Sequence, residues 1–507
     1  MRTLAAAAAS GLLLALAFPP REWVLLLPLA PVVWLAALLS ERSRGRALLS
    51  GVVFGLAYWC ASIPWIVYVV TNFGGQKGIM GVVCLVLLAL ILAQWPAIVA
   101  WGAVAVAPAG SAWRMAAFPV LWWASEHARS YVYGGFPWNL TGTALYRHPM
   151  WIQTASIWGV YGVGFLAMAA AALLALAASR RRVAPAVAAA ILATLVGVAG
   201  ALLGRPEGDP TGPTVRAALL QPNLSQESRL DDTKDGETYA VVMRQAREAA
   251  AQGAELILFP ESALPTYWDW SERLRADLMA IASPSRFVIF NDVEFAGADV
   301  HYNVARVAGP EGLVGAPYRK VHLVPFGEFV PLPRVFFFVR RIAAAIGEFS
   351  AADHPGLLTA GPSAIGMSVC YEVCYPLQPW KQTRSGANLL ATISNDSWYG
   401  RAGAQAQHLA GGVLRAVENR RWLLRAAVTG ISAAVDDRGR IVLEQPADTA
   451  GILYVEARLR TERSPWTRWS FAFSALADTL AVGMLLFGLR RWLAEWRTRK
   501  SLPRTEH

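Results

Sequence analysis

Charge is scarce along this chain. Only 16% of its 507 residues are Asp, Glu, Lys or Arg, whereas 55% are hydrophobic, and the mean hydropathy is +0.37. An ordinary soluble domain has about a quarter of its residues charged, so much of this chain belongs in lipid. Cysteine is scarcer still. Cys60 and Cys84 lie inside apolar runs, and with Cys370 and Cys374 as the only others there is no disulfide framework and no zinc spacing. The seven histidines are scattered without a metal-like cluster, so neither a metal nor a cofactor is expected. The net charge of +11 comes from arginines gathered in short segments beside apolar runs. That is a membrane-topology pattern, and it argues against a nucleic-acid partner.

Apolar runs of membrane length, or nearly so, cover residues 4–18, 22–40, 47–70, 79–107, 113–129, 151–178 and 183–203, giving seven expected spans. Ala15-Leu16-Ala17 resembles a cleavage site, so a cleaved leader is the alternative to a retained first helix. The spans that follow at once favour the helix. Arg42, Arg44 and Arg46, then Arg114, then Arg180, Arg181 and Arg182 mark cytoplasmic loops. An odd number of spans delivers the chain after residue 204 to the other face. A last apolar run, 468–489, returns it to a tail bearing Arg490, Arg491, Arg497, Arg499 and Lys500. The expected organisation is a transmembrane domain over 1–203, an extracytoplasmic catalytic domain over 204–465, and a C-terminal transmembrane helix with a basic cytoplasmic tail over 466–507.

The segment Gly204 to Thr211 reads as a linker. Beyond it, Val215 to Gln221, Glu255 to Phe259, Arg286 to Asn291, Tyr302 to Val307, Leu313 to Tyr318, Ala387 to Ser394, Arg425 to Val435 and Ile441 to Glu444 read as strands. Thr238 to Gln252 and Ala404 to Trp422 read as helices. Strands alternating with helices predict an α/β domain, with some mixed pairing among the later short strands.

The chemistry centres on Ser368-Val369-Cys370-Tyr371-Glu372. The apolar run from Ala364 to Val369 suits a buried strand that ends at Cys370, and strand tips are where chemistry collects in α/β sheets. A lone thiol is more often an inert core residue, so partners decide the matter. Glu261 closes Leu256-Ile257-Leu258-Phe259-Pro260, and Lys320 opens Lys320-Val321-His322-Leu323-Val324-Pro325-Phe326-Gly327-Glu328. A carboxylate can take the thiol proton, and a lysine favours thiolate and can hold an oxyanion. Taken singly, each of these charges reads as a solvated surface group.

Phe-Pro-Glu-Ser, Tyr-Arg-Lys-Val-His-Leu-Val-Pro-Phe-Gly-Glu and Val-Cys-Tyr-Glu, in that order, resemble the carbon-nitrogen hydrolase (nitrilase) superfamily. Pro325 to Pro331 and Cys370-Tyr371-Glu372, in a chain with many spans, resemble its membrane branch, the apolipoprotein N-acyltransferases. So do the loop Ser125 to Asn139 and Gln153 with Trp158 to Gly162. Taken alone, that loop reads equally well as an interfacial aromatic belt. The resemblance implies a polytopic α-helical membrane domain plus an α/β nitrilase-like domain folded as an αββα sandwich. It implies Cys370 as nucleophile, Glu261 as general base and Lys320 as oxyanion stabiliser, supported by Glu328, Tyr371 and Glu372.

The reaction it implies is acyl transfer through a Cys370 thioester. The donor is a membrane phospholipid and the acceptor is the N-terminal amine of a diacylglyceryl-modified apolipoprotein. The implied location is the bacterial inner membrane, multi-pass, with the catalytic domain on the periplasmic side. The alternative is a membrane-tethered amidase or nitrilase acting on a small carbon-nitrogen substrate, and a third reading is a catalytically silent lipoprotein-binding scaffold. Asn395 and Trp398, at another strand end, are expected to line the pocket. Trp268 in Tyr267-Trp268-Asp269-Trp270, and Phe336 and Phe337 in Val335 to Arg341, are expected in loops that dip into the interface and admit acyl chains.

Overall fold

The computed structural model describes residues 1–74, 78–205, 213–229, 231–297, 300–325, 327–329, 349–400 and 403–501. The helical part comprises Arg2–Ala15, Val32–Ser40, Arg44–Ser62, Trp65–Asn72, Gly78–Ala105, Trp113–Arg129, Ala155–Arg180 and Val183–Leu203, joined at the end of the chain by Pro465–Ser501. Its helices approach closely where small residues meet. A Cβ added to Gly55 would lie 2.6 Å from the Cα of Ala93, the close backbone contact on which helix association in lipid depends.

Among the described residues four helices are long and apolar enough to cross: Gly78–Ala105, Ala155–Arg180, Val183–Leu203 and Pro465–Thr498. A fifth counts if Arg44–Ser62 and Trp65–Asn72, bent by 61°, make one span. The bend falls at Ile63, which is driven off helical geometry (φ −124°, ψ 44°) by the proline that follows it. Arg2–Ala15 has 14 residues, about 21 Å of helix against a hydrocarbon core of about 30 Å. Leu26–Ser40 is likewise short, and Trp113–Arg129 carries Arg114, Glu126 and His127 as well as its terminal arginine.

The second part is built on two sheets. The first has the order β13 (Gly451–Arg458), β1 (Thr214–Gln221), β2 (Leu256–Leu258), β3 (Phe287–Phe295), β4 (His301–Gly309) and β5 (Gly312–Leu313), with β6 (Tyr318–Arg319) also on β4. The other runs β12 (Ile441–Gln445), β11 (Ser432–Val435), β10 (Leu423–Ala427), β9 (Leu389–Ser394), β8 (Ser363–Val369) and β7 (Leu357–Ala360). Period-two alternation fixes the faces. In β1, Val215, Ala217 and Leu219 point into a core shared with Ile365, Met367 and Val369 of β8. Ala218 and Leu220 face the helices Asp235–Ala251 and Glu272–Ile281. With Leu377–Arg384 and Ala404–Asn419 outside the other sheet, the layers are α, β, β, α, as the resemblance implied.

Ala404–Asn419 is covered on both sides. Leu409, Val413 and Val417 share one continuous core with Trp138, Val160 and Tyr161 of the helical part, so the outer layer of the sandwich is also the seat of the membrane helices. Gln407 sits in this seam. Its Oε1 accepts from the indole nitrogens of Trp65 (3.2 Å) and Trp138 (2.6 Å), and its Nε2 donates to the carbonyls of Pro19 and Ser62, both at 2.8 Å.

Two expected strands are pairs instead. Arg425 to Val435 is the antiparallel pair β10 and β11, and Leu313 to Tyr318 divides into β5 and β6, each on β4. Helix Ala404–Asn419 stops short of Trp422 because Arg420 turns left-handed (φ 51°).

Candidate active site

Four strand ends meet at one end of the inter-sheet core. Cys370 follows β8 and starts a tight turn to Cys374; Asn395 follows β9. From the facing sheet, Glu261 lies three residues after β2, and Lys320 follows β6. Cys370 is left-handed (φ 57°), a conformation that costs a non-glycine residue about 1–3 kcal/mol and persists only where its surroundings hold it. The thiol is 6% exposed and the lysine 1%.

The expected base, lysine and second carboxylate converge. Lys320 Nζ is 2.9 Å from Glu328 Oε1 and 3.6 Å from Glu261 Oε1. Asn303, inside β4, donates through Nδ2 to both carboxylates, at 2.9 Å to Glu328 and 3.2 Å to Glu261. The other oxygen of Glu261 accepts from the Asn395 amide (3.0 Å), and Glu328 Oε2 accepts from the Val324 amide (2.9 Å). Burial works against the Lys320 ammonium, but Glu328 and Glu261 together outweigh it and hold its pKa above the ordinary lysine range. Burial pushes the Cys370 thiol well up; the charge of Glu261 pushes it further, and Lys320 offsets part of this.

Glu372 does not face the thiol. Its Oε1 accepts from the amides of Val321 (2.7 Å) and His322 (3.0 Å), and its Oε2 from the Val369 amide (2.7 Å) and the Tyr318 hydroxyl (2.8 Å). It therefore ties the loop carrying Lys320 to the end of the strand carrying Cys370. Burial raises its pKa, against the opposing pull of Lys320 and these donors.

Tyr371 turns toward the helical part. Its ring lies 6.0 Å from that of Trp138, nearly parallel, and 6.4 Å from Phe136. Of the segment Ser125 to Asn139, expected as a loop, Ser125 to Arg129 finish the helix Trp113–Arg129, and the stretch after it, through Phe136 and Trp138, borders the turn that begins at Cys370. Trp398 meets Phe73 edge to face at 4.9 Å, while Asn395 Nδ2 donates to Gln226 Oε1 (3.1 Å). Trp268 is a correction. It is buried in the core between β3 and the helices, 5.8 Å from the ring of Phe290, on the far side of the first sheet from Cys370. The exposed aromatic of that segment is Trp270, stacked on Phe295 at 4.7 Å. Phe336 and Phe337 lie outside the described residues.

Several members of the site are not among the expected ones. Asn303 has a visible signal, an amide that leads into the apolar pair Val304-Ala305. Ser394 Oγ is 3.5 Å from Cys370 Sγ and donates to Asp396 Oδ1 (2.6 Å). Asp396 is fully buried and is also bound by Arg425 and His408. Burial alone would raise its pKa, but the charge of Arg425, helped by the hydrogen bond from Ser394, reverses the effect and holds it below the usual carboxylate range.

Residues 10–173 match the family model for the apolipoprotein N-acyltransferase N-terminal domain, and residues 216–464 match that for carbon-nitrogen hydrolase. The apolipoprotein N-acyltransferase of Geobacter metallireducens is 35% identical over 499 residues, 94% of each chain. That of Nitrosomonas europaea is 30% identical over 472 residues, 90% of this chain and 92% of its own. Among solved structures, an amidase from Nesterenkonia sp. aligns with 49% of this chain and 92% of its own at 21% identity, with a TM-score of 0.38.

Proposed function

This chain belongs to the apolipoprotein N-acyltransferases, and from that premise we propose that it draws its acyl group from a membrane phospholipid and passes it, through a thioester on Cys370, to the N-terminal amine of a diacylglyceryl-modified apolipoprotein. The observation that supports this reading is the convergence of Glu261, Lys320 and Cys370 directly beside the aromatic loop of the membrane part. A nucleophile so placed reaches a lipid ester without drawing it far from the bilayer.

In the proposed first step Glu261 takes the proton of Cys370 as the sulfur attacks the ester carbonyl. Lys320, kept charged by its two carboxylates, and nearby backbone amides hold the developing oxyanion. As the tetrahedral intermediate collapses, the C–O bond breaks, and Glu261 returns its proton to the departing lysophospholipid oxygen. In the second step the amine attacks the thioester carbonyl, Glu261 accepts the amine proton, the C–S bond breaks and the proton returns to sulfur. No nucleotide enters, because a thioester is already activated toward amines. Burial at the inter-sheet core excludes the water that would otherwise hydrolyse it.

The roles of Glu328 in holding Lys320 and of Tyr371, Glu372, Asn395 and Trp398 in shaping the pocket belong to the same proposal. So do Phe336 and Phe337 as an acyl-chain gate, on their sequence alone. We also place the catalytic domain on the periplasmic side of the inner membrane, on the strength of the arginine distribution.

A purified sample supplied with phospholipid and a synthetic diacylglyceryl-cysteinyl peptide tests the reading. The expected product is the N-acylated peptide together with one equivalent of lysophospholipid. Release of free fatty acid with the peptide unmodified, or turnover of small amides alone, would instead favour the amidase reading.

A further inference from the structure

A buried group beside the nucleophile has no part in the mechanism above. His408, on helix Ala404–Asn419, is fully buried, and its Nε2 lies 3.0 Å from the carbonyl oxygen of Cys370. A carbonyl only accepts, so this nitrogen carries the hydrogen. The other ring nitrogen, Nδ1, lies 3.2 Å from Arg425 Nη2 and 3.0 Å from Asp396 Oδ1. Nδ1 thus lies between a donor, Arg425, and an acceptor, Asp396, which together anchor that side of the ring. Burial and the charge of Arg425 lower the pKa of the ring, against the opposing pull of Asp396 and the Cys370 carbonyl.

The carbonyl that His408 grips is that of the left-handed residue. A strand running straight on through residue 370 would point this oxygen elsewhere. We infer that His408 is a positioning residue for acyl transfer: its Nε2–H holds the Cys370 carbonyl and with it the strained backbone that aims the sulfur, while Arg425 and Asp396 anchor the ring at Nδ1. The neighbouring residue, Gln407, is fastened to the membrane part at four atoms. The helix therefore transmits the seating of the membrane domain to the nucleophile through two adjacent side chains.

The inference concerns the same Cys370 that the proposed function uses, so its test employs a donor that needs no lipid recognition. The full-length protein in detergent is treated with a short-chain soluble aryl ester, and acylation of Cys370 is timed by intact mass for the wild type, His408→Gln and His408→Met. Glutamine presents an amide N–H at the reach of Nε2, and methionine fills similar volume with no donor. Both lose the contacts to Asp396 and Arg425, so their melting temperatures should fall alike. Glutamine should acylate within about fivefold of wild type and methionine about a hundredfold more slowly, the scale on which a small misplacement of a reacting group acts. Equal rates in the two variants, whether fast or slow, would overturn the inference. Wild-type acylation by the ester but not by phospholipid would count against the proposed donor and leave the His408 comparison intact.

Discussion

Lys320 stands closer to Glu328, at 2.9 Å, than to Glu261, at 3.6 Å. Both carboxylates keep the lysine charged, and in the proposed mechanism the shorter contact leaves Glu261 the freer of the two to exchange a proton with sulfur. Replacing Glu328 by Gln removes the stronger tether and lets the ammonium settle on Glu261. The expected result is acyl-adduct formation slowed about tenfold to a hundredfold, with Cys370 still the modified residue. A time course of intact mass reads it, and a wild-type rate would remove Glu328 from the site's chemistry.

The three central residues should separate by role. Cys370→Ala abolishes adduct and transfer together. Glu261→Gln should slow thioester formation by about a hundredfold or more, the usual cost of losing a general base. Lys320→Ala should be comparably severe, since one oxyanion donor is worth about 3–4 kcal/mol. Normal adduct formation in either of the last two would take that residue out of the mechanism.

The pH dependence of alkylation distinguishes a preformed thiolate from a base-assisted thiol. Burial and the Glu261 charge raise the Cys370 pKa, and Lys320 lowers it. Iodoacetamide reactivity at Cys370 should therefore still be climbing at about pH 9, beyond the midpoint of an ordinary cysteine. Glu261→Gln removes the negative neighbour and should move the profile to lower pH, even though that variant acylates slowly. Lys320→Met should move it higher. Shifts of opposite sign would show that the assigned charges are not the ones the sulfur senses.

Legibility in the sequence followed the range of the interaction. Cys370, Glu261 and Lys320 stand next to apolar runs whose ends are visible locally, so the strand tips and the residues on them could be named. Glu328 was legible only through the family pattern. Asn303 bridges carboxylates 42 and 25 residues away, and His408 reaches back 38 residues to the Cys370 carbonyl. Neither role exists until the two sheets are paired. Trp268 was misread because an aromatic cluster looks the same whether it faces lipid or a helix. Apolarity marks burial as well as length for crossing, and in Arg2–Ala15 it also marks packing against the helix Arg44–Ser62.

Topology is open to direct labelling. The arginines at 42–46, 180–182 and 490–499 predict that residues 204–465 lie outside the cytoplasm and both termini inside. A cysteine introduced at the exposed position Asp232 should react with a membrane-impermeant maleimide in intact cells whose outer membrane has been permeabilised. Reaction only after the inner membrane is broken would reverse the assignment.

The most direct test of the central claim is intact-protein mass spectrometry after incubation with phospholipid alone, with no acceptor present. The account predicts a mass increase of one acyl chain, mapped to Cys370, reversed by hydroxylamine and matched by release of lysophospholipid. An unmodified Cys370 in protein that still N-acylates a lipopeptide would contradict the thioester intermediate.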